Sequence, residues 1–372
     1  MDRLPTEILA LVADFLPLVS LREFRLVSVR LADIAYPVLT QHLSVVNTAE
    51  CLEEFEHFIC QSQEAARFTK KLTIYHGTWP ICDRDAWEIH PLLLGGCDRI
   101  DVGSHRSHVA DQAYQDYRDF ILREASRGPS ELLATLRALP NLRSITLTHL
   151  RASHLKKPQY ARLRKRIWLQ PYTKDSLNPT VTWVLGALGD FSQVKEVEIN
   201  GNSNPYDIEG PVRAEFIESL KIASIRCSDR QKLSRFLSSF NQIRVLSLGM
   251  HDIVLGTEIP LDQVHWPKLE VVELTNGRVL KSSMVAFVQR HPSLSVLRAR
   301  GTAMIGGSWA SALHGVQLRP AAGAPAAATT AAHSSHFTDS SSAQLEWVRR
   351  RVHPALGTIA SSSQVPGASS QL

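Results

Sequence analysis

One apolar template recurs along most of the chain. Each copy has an apolar residue, two other residues, a second apolar residue, one other residue and a third apolar residue. The clear copies are Leu142/Ile145/Leu147, Val194/Val197/Ile199, Ile222/Ile225/Cys227, Ile243/Leu246/Leu248, Leu269/Val272/Leu274 and Leu294/Leu297/Ala299. Two weaker copies are Thr69/Leu72/Ile74 and Cys97/Ile100/Val102. The template predicts a series of short strands that are buried on one face.

The copies follow one another at intervals of 28, 45, 52, 28, 21, 26 and 25 residues. Most of these intervals are at or near the roughly 20–29 residues of one leucine-rich repeat. The two long intervals predict insertions at residues 103–130 and 151–180. Because one strand and one helix cannot bury an apolar face alone, stacked units predict a solenoid with a continuous core.

The first forty residues differ from this body. Pro5 suits the first turn of a helix, and Glu7 follows where the helix dipole favours a negative charge. The spacing of Ser20 and Glu23 predicts a capping box at the start of a second helix. A third helix is predicted to close near Pro37. Three short helices of this size bury little surface, so the unit needs a partner, either the rest of the chain or another protein.

This N-terminal head resembles an F-box. The resemblance rests on Leu4, Pro5, Glu7, Ile8, Leu9, Val12, Leu16, Ser20-Leu21, Arg25-Leu26-Val27-Ser28, Arg30 and Leu31. The ending from Leu31 to Pro37 is similar to the form common in fungal F-box proteins, although that family often has Trp where this chain has Leu31. The alternative interpretation is a plain three-helix cap on the repeat body.

The resemblance implies a protein that is not an enzyme. It implies the substrate-recognition subunit of a cullin-based, SCF-type ubiquitin ligase, in which the head docks the Skp adaptor and through it the cullin scaffold. The repeat body would then bind an unknown protein substrate. The residues expected to face the adaptor are Leu4, Pro5, Ile8, Leu9, Val12, Leu16, Leu21, Leu26 and Val27. Two alternatives stay open: a scaffold that does not feed ubiquitination, and a nucleic-acid binder that uses the basic run at residues 156–166.

Residues between the apolar template positions are expected to line the concave face of the solenoid. Glu198 and Arg226 occupy equivalent template positions in successive copies, and so do Glu273 and Arg298. We expect this row of alternating charges to help select the substrate.

The predicted fold class is therefore α/β, with three parts. Residues 1–45 form a three-helix F-box, residues 46–319 an irregular leucine-rich-repeat solenoid, and residues 320–372 a disordered tail. The stretches 320–330 and 361–372 are dominated by small residues, Pro and polar residues, which cannot bury enough apolar surface to fold. Between them, residues 344–353 either form a short helix or share the disorder.

Charge and cysteine usage narrow the function classes. The net charge of +5 is spread thinly along the chain and does not by itself indicate nucleic acid. Five scattered cysteines favour a reducing compartment, cytoplasmic or nuclear. Asp2, Arg3 and Glu7 interrupt any signal peptide, and no apolar run reaches the roughly 18 residues of a membrane helix. We find no zinc spacing, phosphate loop, dinucleotide fingerprint or nucleophile elbow, so we expect no catalytic residue, cofactor or metal.

Overall fold

The computed structural model describes residues 4–88, 107–156, 160–167, 179–203, 212–227, 229–251, 258–314 and 344–348. Its helices are α1 (Thr6–Phe15), α2 (Leu18–Val27), α3 (Val29–Thr40), α4 (Ala49–Gln61), α5 (Gln63–Phe68), α6 (Arg84–Glu88), α7 (Ser107–Ala125), α8 (Ser130–Arg137), α9 (Ala152–Leu155), α10 (Ala161–Ile167), α11 (Pro179–Ala187), α12 (Arg230–Ser238), α13 (Lys281–Arg290) and α14 (Trp309–His314). Its strands are β1 (His42–Val46), β2 (Lys71–His76), β3 (Ser144–His149), β4 (Glu196–Ser203), β5 (Ser219–Ile225), β6 (Val245–Met250), β7 (Val271–Thr275), β8 (Arg278–Leu280), β9 (Val296–Arg300), β10 (Ala303–Ile305) and β11 (Gln344–Val348).

Nine of these strands form one sheet in the order β1-β2-β3-β4-β5-β6-β7-β9-β11. Each strand from β1 to β9 is parallel to its neighbours, and β11 joins β9 in the antiparallel direction. The short strands β8 and β10 pair separately, also in parallel. The strand order therefore follows the order of the chain and never reverses.

The core lies on one face of this sheet. Two rows of side chains, in register across the strands, are at most 3% exposed. The rows are Leu72, Ile145, Val197, Leu220, Leu246, Val272 and Leu297, and then Ile74, Leu147, Ile199, Ile222, Leu248, Leu274 and Ala299. Leu136 of α8, Phe240 after α12 and Phe287 of α13 belong to the same cluster. Burial of each such side chain contributes about 1.5–3 kcal/mol.

The predicted fold class is wrong. In place of an F-box head, a leucine-rich-repeat solenoid and a disordered tail, the structure is an α/β fold built on one mostly parallel central sheet with helices. In this respect it belongs with the broad group of parallel α/β folds that includes Rossmann-like proteins. The apolar template misled because strands buried in any parallel sheet show the same apolar positions, so the template locates strands without defining the fold.

One copy of the template was also placed in the wrong register. The unit that pairs in the sheet is Ile217/Leu220/Ile222, since Val197 lies beside Leu220 and Ile199 beside Ile222. The predicted copy, which starts at Ile222, overlaps this unit. Both copies satisfy the spacing rule, and the sheet selects the earlier one because its apolar residues align with β4 and β6.

The tail prediction is wrong at residues 344–348. These residues form β11, neither a helix nor a disordered segment, and they pair with all five residues of β9. Low-complexity composition predicts that a segment cannot form its own core. It says nothing about pairing with the edge of an existing sheet, which offers unpaired backbone donors and acceptors.

The N-terminal head has its own small core. Leu9 and Ala13 of α1 pack with side chains of the next two helices, in a cluster separate from that of the sheet. The cluster consists of Leu9, Ala13, Leu21, Phe24, Leu31 and Ala35. Ser28 caps α3, because its Oγ accepts from the Leu31 N–H at 3.2 Å.

Two local predictions in the head differ from the structure. Helix α2 begins at Leu18, directly after Pro17, so Ser20 lies inside the helix and the predicted capping box is wrong. Helix α3 continues past Pro37 to Thr40. Backbone N–H groups in the first turn of a helix have no acceptor within the helix, so a proline, which lacks an N–H, is tolerated there. Pro17 at the N-cap of α2 therefore sets the start of the helix about one turn earlier than the spacing of Ser20 and Glu23 predicts.

The remaining sequence predictions have simple outcomes. The predicted insertions contain α7, α9 and α10 within their described parts. The weak copy Cys97/Ile100/Val102 lies outside the described residues. Among the described residues, no helix combines the length and apolar character that a membrane crossing requires.

Candidate functional site

The head exposes a large apolar surface. Of the sixteen large hydrophobic side chains that are exposed in the described residues, ten lie between Leu4 and Val29. They are Leu4, Ile8, Leu11, Val12, Phe15, Leu18, Val19, Leu26, Val27 and Val29. Phe15 is 86% exposed and Val29 is 80% exposed. Exposed apolar side chains in this number are typical of surfaces that contact another macromolecule.

Helix α1 carries two apolar stripes. Leu9 and Ala13 are four residues apart and are buried in the head core. Ile8, Leu11, Val12 and Phe15 follow the spacing of one helix face and are all exposed. A helix that packs on a single neighbour needs only the first stripe. The second stripe is therefore available to a partner.

The structure divides the nine residues predicted to face the adaptor. The exposed ones are Leu4, Pro5, Ile8, Val12, Leu26 and Val27. Leu9 and Leu21 are 1% and 2% exposed and form the head core, and Leu16 packs against that core in a half-buried position. Leu9 and Leu21 therefore stabilise the head from its core, and Leu16 lies at the edge of that core.

Sequence reasoning left five exposed residues out of this surface. They are Leu11, Phe15, Leu18, Val19 and Val29. The signal that could have found the first two is the separation of α1 into two stripes. Ala13 identifies the inner stripe, because a small side chain allows a neighbouring helix to approach closely.

Side-chain and backbone contacts connect the head to the sheet. The carbonyl of Gln41 accepts from the N–H groups of Lys70 and Lys71, both at 2.9 Å. Thr69 Oγ1 donates to the carbonyl of Thr40 at 3.0 Å. Tyr36 of α3 forms a hydroxyl–hydroxyl hydrogen bond with Ser62 at the start of α5. The end of α3 is thus held against the beginning of β2, and the head's exposed surface has a defined orientation to the body.

The second candidate surface is the outer face of the sheet, opposite the core. One register row crosses it from β1 to β9: Ser44, Thr73, Thr146, Glu198, Lys221, Ser247, Glu273 and Arg298. Thr73 and Thr146 are buried, whereas Lys221 is exposed and Glu198 and Glu273 are half-buried. The row is therefore shielded from solvent at β2 and β3 and at least partly accessible to solvent from β4 to β7.

The predicted insertion at 151–180 helps close the first part of this face. Tyr160 lies 3.3 Å from Ser44 Oγ through its hydroxyl, and its ring meets the Tyr75 ring edge-on at 6.3 Å between centroids. The His154 ring lies 4.5 Å from the Tyr75 ring. A ligand on the outer face therefore has access to β4 and the strands that follow it.

The open part of the face is lined by weak ion pairs. Lys71 Nζ lies 3.9 Å from Glu198, and an Arg300 nitrogen lies 3.8 Å from Glu273. Ser247 donates to Glu273 at 3.4 Å. Half-exposed pairs at these distances contribute little to stability. A charged ligand can therefore replace these ion pairs with contacts of its own at a small cost in free energy.

The four residues predicted to read the substrate are not all on this row. Glu198, Glu273 and Arg298 are, and Glu273 lies directly beside Arg298 in the register. Arg226 follows the end of β5 and lies 3.4 Å from the His251 ring through its guanidinium. Lys221 takes the place beside Glu198 that the sequence assigned to Arg226. An even spacing of copies, which the unit at Ile217 gives, would have identified Lys221.

The basic run at 156–166 is partly neutralised. Arg162 of α10 forms a 3.1 Å ion pair with Glu54 of α4. Lys156 and Arg164 are exposed. Lys157 lies outside the described residues. The Arg162 side chain is 84% exposed, so this contact is a surface ion pair between α10 and α4 that contributes little to stability.

A buried polar cluster lies where β1, β2 and β3 end. Arg127 donates to the side chain and the carbonyl of Asn47 at 2.8 and 2.7 Å, and it pairs with Glu124 at 3.0 Å. Asn47 in turn donates to Thr180 at 2.5 Å. Burial raises the pKa of Glu124, and the Arg127 charge opposes that rise. These contacts anchor α7 and α11 to the end of β1.

Two histidines lie in the same region. His76 and His149 pair in the register with ring centroids 4.6 Å apart, and both ring nitrogens of His76 are buried with no hydrogen-bond partner. Burial lowers the pKa of His76 to about 3, with a smaller contribution from His149. Gly201 has a φ of +135°, and a Cβ there would lie 2.0 Å from the His149 ring. Glycine is therefore required for the close approach of β4 to this ring.

The described parts of the two surfaces carry exposed apolar side chains and surface ion pairs. Within the described residues, no three His, Cys, Asp or Glu side chains are grouped to hold a metal ion. The arrangement supports binding of other macromolecules.

No family model matches the chain, and no curated protein matches it. The resemblance of the head to an F-box accordingly stays a prediction.

Proposed function

We propose that the chain is the substrate-recognition subunit of a cullin-based ubiquitin ligase, and that its head docks the Skp adaptor. The observation that carries the proposal is the second apolar stripe of α1, continued by the exposed side chains of α2 and the first residue of α3. The F-box resemblance suggests the partner. The body would hold a protein substrate, and ubiquitin transfer would be promoted by proximity, with no bond chemistry on this chain.

The test is adaptor binding by a chain with two acidic substitutions on the exposed stripe, Leu11→Asp with Phe15→Asp. An anchoring side chain at an interface contributes on the order of 2 kcal/mol, so the affinity for a purified Skp adaptor should fall about 100-fold or more. The matched control is Ile81→Asp with Leu122→Asp, which makes the same change at two exposed apolar residues of the body. The control should bind like wild type, and circular dichroism should show that both variants are folded.

Unchanged adaptor binding by the folded Leu11→Asp, Phe15→Asp variant would rule out docking through the exposed stripe. A second experiment, affinity purification of the chain from cells, separates the scaffold interpretation, because a scaffold would co-purify with the adaptor but without the cullin. Leu9 is not used in this test. Its buried side chain would unfold the head when replaced by a charge, and loss of binding would then have two explanations.

A further inference from the structure

The last parallel strand, β9, is completed by a segment that is distant in sequence. Val296–Arg300 pairs along its full length with Gln344–Val348 of β11. This is the one antiparallel pairing in the sheet as far as the structure describes it. A strand at the edge of a sheet presents a row of backbone donors and acceptors that templates the addition of another strand. In this protein the chain itself fills that row.

The core at this end of the sheet is closed by other elements. Phe287 of α13 and Ala312 of α14 are fully buried. The indole N–H of Trp309 donates to the carbonyl of Thr302 at 3.2 Å, which fixes α14 beside the end of β9. β11 pairs with β9 through the backbone at the sheet edge.

The register of β9 and β11 defines the chemistry of a strand that fits. On β9, Arg298 and Arg300 alternate with Leu297 and Ala299, whose side chains are buried. The positions opposite the two arginines hold Glu346 and Gln344. The positions opposite Leu297 and Ala299 hold Trp347 and Leu345. The matching sequence therefore has an acidic residue between two large apolar residues.

We propose that the edge of β9 is a binding site for an extended peptide, and that residues 344–348 occupy it within the same chain. Its ligand from another protein is an extended segment in which an acidic residue stands between two large apolar residues. Such a ligand binds by displacing β11. This inference goes beyond the proposed function, since it involves neither the head nor the adaptor.

A tethered strand competes at a high effective concentration, so the site binds an external peptide weakly until the tether is disabled. The probe is a fluorescein-labelled peptide of residues 341–350, and the measurement is fluorescence anisotropy with the full chain. The competing strand is disabled by Leu345→Pro with Glu346→Pro. Adjacent backbone N–H groups point to opposite sides of a strand, so one of the two prolines removes a donor that faces β9.

We expect the peptide to bind the double-proline variant at least tenfold more tightly than wild type. A control with Ser361→Pro and Ser362→Pro, elsewhere in the tail, should bind like wild type. If the double-proline variant does not fold, Glu346→Arg in the otherwise native chain weakens the internal strand and should give a smaller gain in the same direction. Equal binding by wild type and a folded variant with a weakened β11, either the double-proline variant or Glu346→Arg, would overturn the proposal.

A charge exchange tests the register. On the double-proline background, Arg298→Glu should weaken binding of the native peptide several-fold. A peptide in which the residue corresponding to Glu346 is Arg should also bind the unexchanged chain several-fold more weakly. Combining the two changes should restore binding, which a merely structural role of Arg298 would not do. Absence of restoration overturns the proposed register and with it the site.

A second copy of the chain is the competing occupant. If the double-proline variant dimerises in light scattering, excess peptide should return it to monomer, because the same edge would be shared. A dimer that persists in the presence of excess peptide contradicts the proposal. None of these measurements contains the adaptor, so failure here leaves the docking proposal for the head untouched, and the reverse also holds.

Discussion

The head and the sheet body use apolar residues in different ways. The body places its large apolar side chains in one continuous cluster, and only six of the exposed large hydrophobic side chains in the described residues belong to it. The head buries six residues and exposes ten. The body thus buries most of its large apolar side chains, while the head has apolar surface that the described part of the chain leaves uncovered. This difference predicts that most of the stability resides in the body and that adaptor binding resides in the head.

The largest expected effect is in the body core. Phe287 is fully buried between α13 and the sheet, so Phe287→Ala should lower the free energy of unfolding by about 3–5 kcal/mol. Phe216→Ala is the matched control, because Phe216 is 37% exposed and should lose less than about 1.5 kcal/mol. Urea denaturation followed by circular dichroism measures both. Equal losses would mean that the core is not where the stability lies.

A core substitution in the head should have a local effect. Leu21→Ala removes a buried side chain from a small cluster and should destabilise the head by about 2–5 kcal/mol. Hydrogen exchange should accelerate in α1, α2 and α3 while β3 to β7 keep their protection. Leu26→Ala is the control, because Leu26 is 78% exposed, and it should change neither the stability of the head nor its hydrogen-exchange rates. Simultaneous loss of protection in the sheet would show that the two regions unfold as one.

Acid should destabilise the body through buried histidines. Burial lowers the pKa of His76 to about 3 and that of His291 to about 4. Because the unfolded value is about 6.5, the unfolded chain binds protons first as the pH falls, and stability is lost from about pH 6.5 downward. Between pH 7.5 and pH 5 each histidine should cost on the order of 2 kcal/mol.

Urea midpoints measured from pH 8 to pH 5 test this expectation, with His76→Leu as the variant. The stability of the variant should depend less steeply on pH than that of wild type, because one histidine that binds a proton in the unfolded chain has been removed. The first histidine of the sequence is His42, which follows the head, so the loss should appear in the body. An unchanged slope would contradict the buried, neutral state of His76.

The smallest expected effect on stability is at the tip of the exposed stripe. Phe15→Ser should change the free energy of unfolding by no more than about 0.5 kcal/mol, because the side chain is 86% exposed. The same substitution should weaken adaptor binding measurably in a calorimetric titration. A stability loss as large as that of Leu21→Ala would mean that the stripe packs within the chain.

The sequence predicts individual strands better than it predicts their assembly. Leu246 and Leu248 have the alternation of a buried strand, and they lie in β6. The same alternation cannot distinguish one parallel α/β arrangement from another, because burial acts on each strand separately. For this reason the predicted fold class is wrong, although most copies of the template coincide with strands.

Site prediction failed for a related reason. Arg226 and Lys221 compete for the same place in two overlapping copies of the template, and only pairing with Glu198 decides between them. In the head, apolar character alone does not separate Leu9, which is buried, from Phe15, which is exposed. Pairing in β11 depends on a distant edge and leaves no local signal in composition.

The strand order also has a consequence for synthesis on the ribosome. In the nine-stranded sheet, β2 to β7 and then β9 each emerge after the preceding strand with which they pair, so this sheet can grow as the chain is made. The edge of β9 is the exception, because residues 301–343 must be added before β11 exists. At about 5–20 residues per second, that edge stays without its strand for roughly 2–9 s. During this interval the nascent chain presents an open β-edge, to which chaperones or a neighbouring nascent chain have access before β11 does.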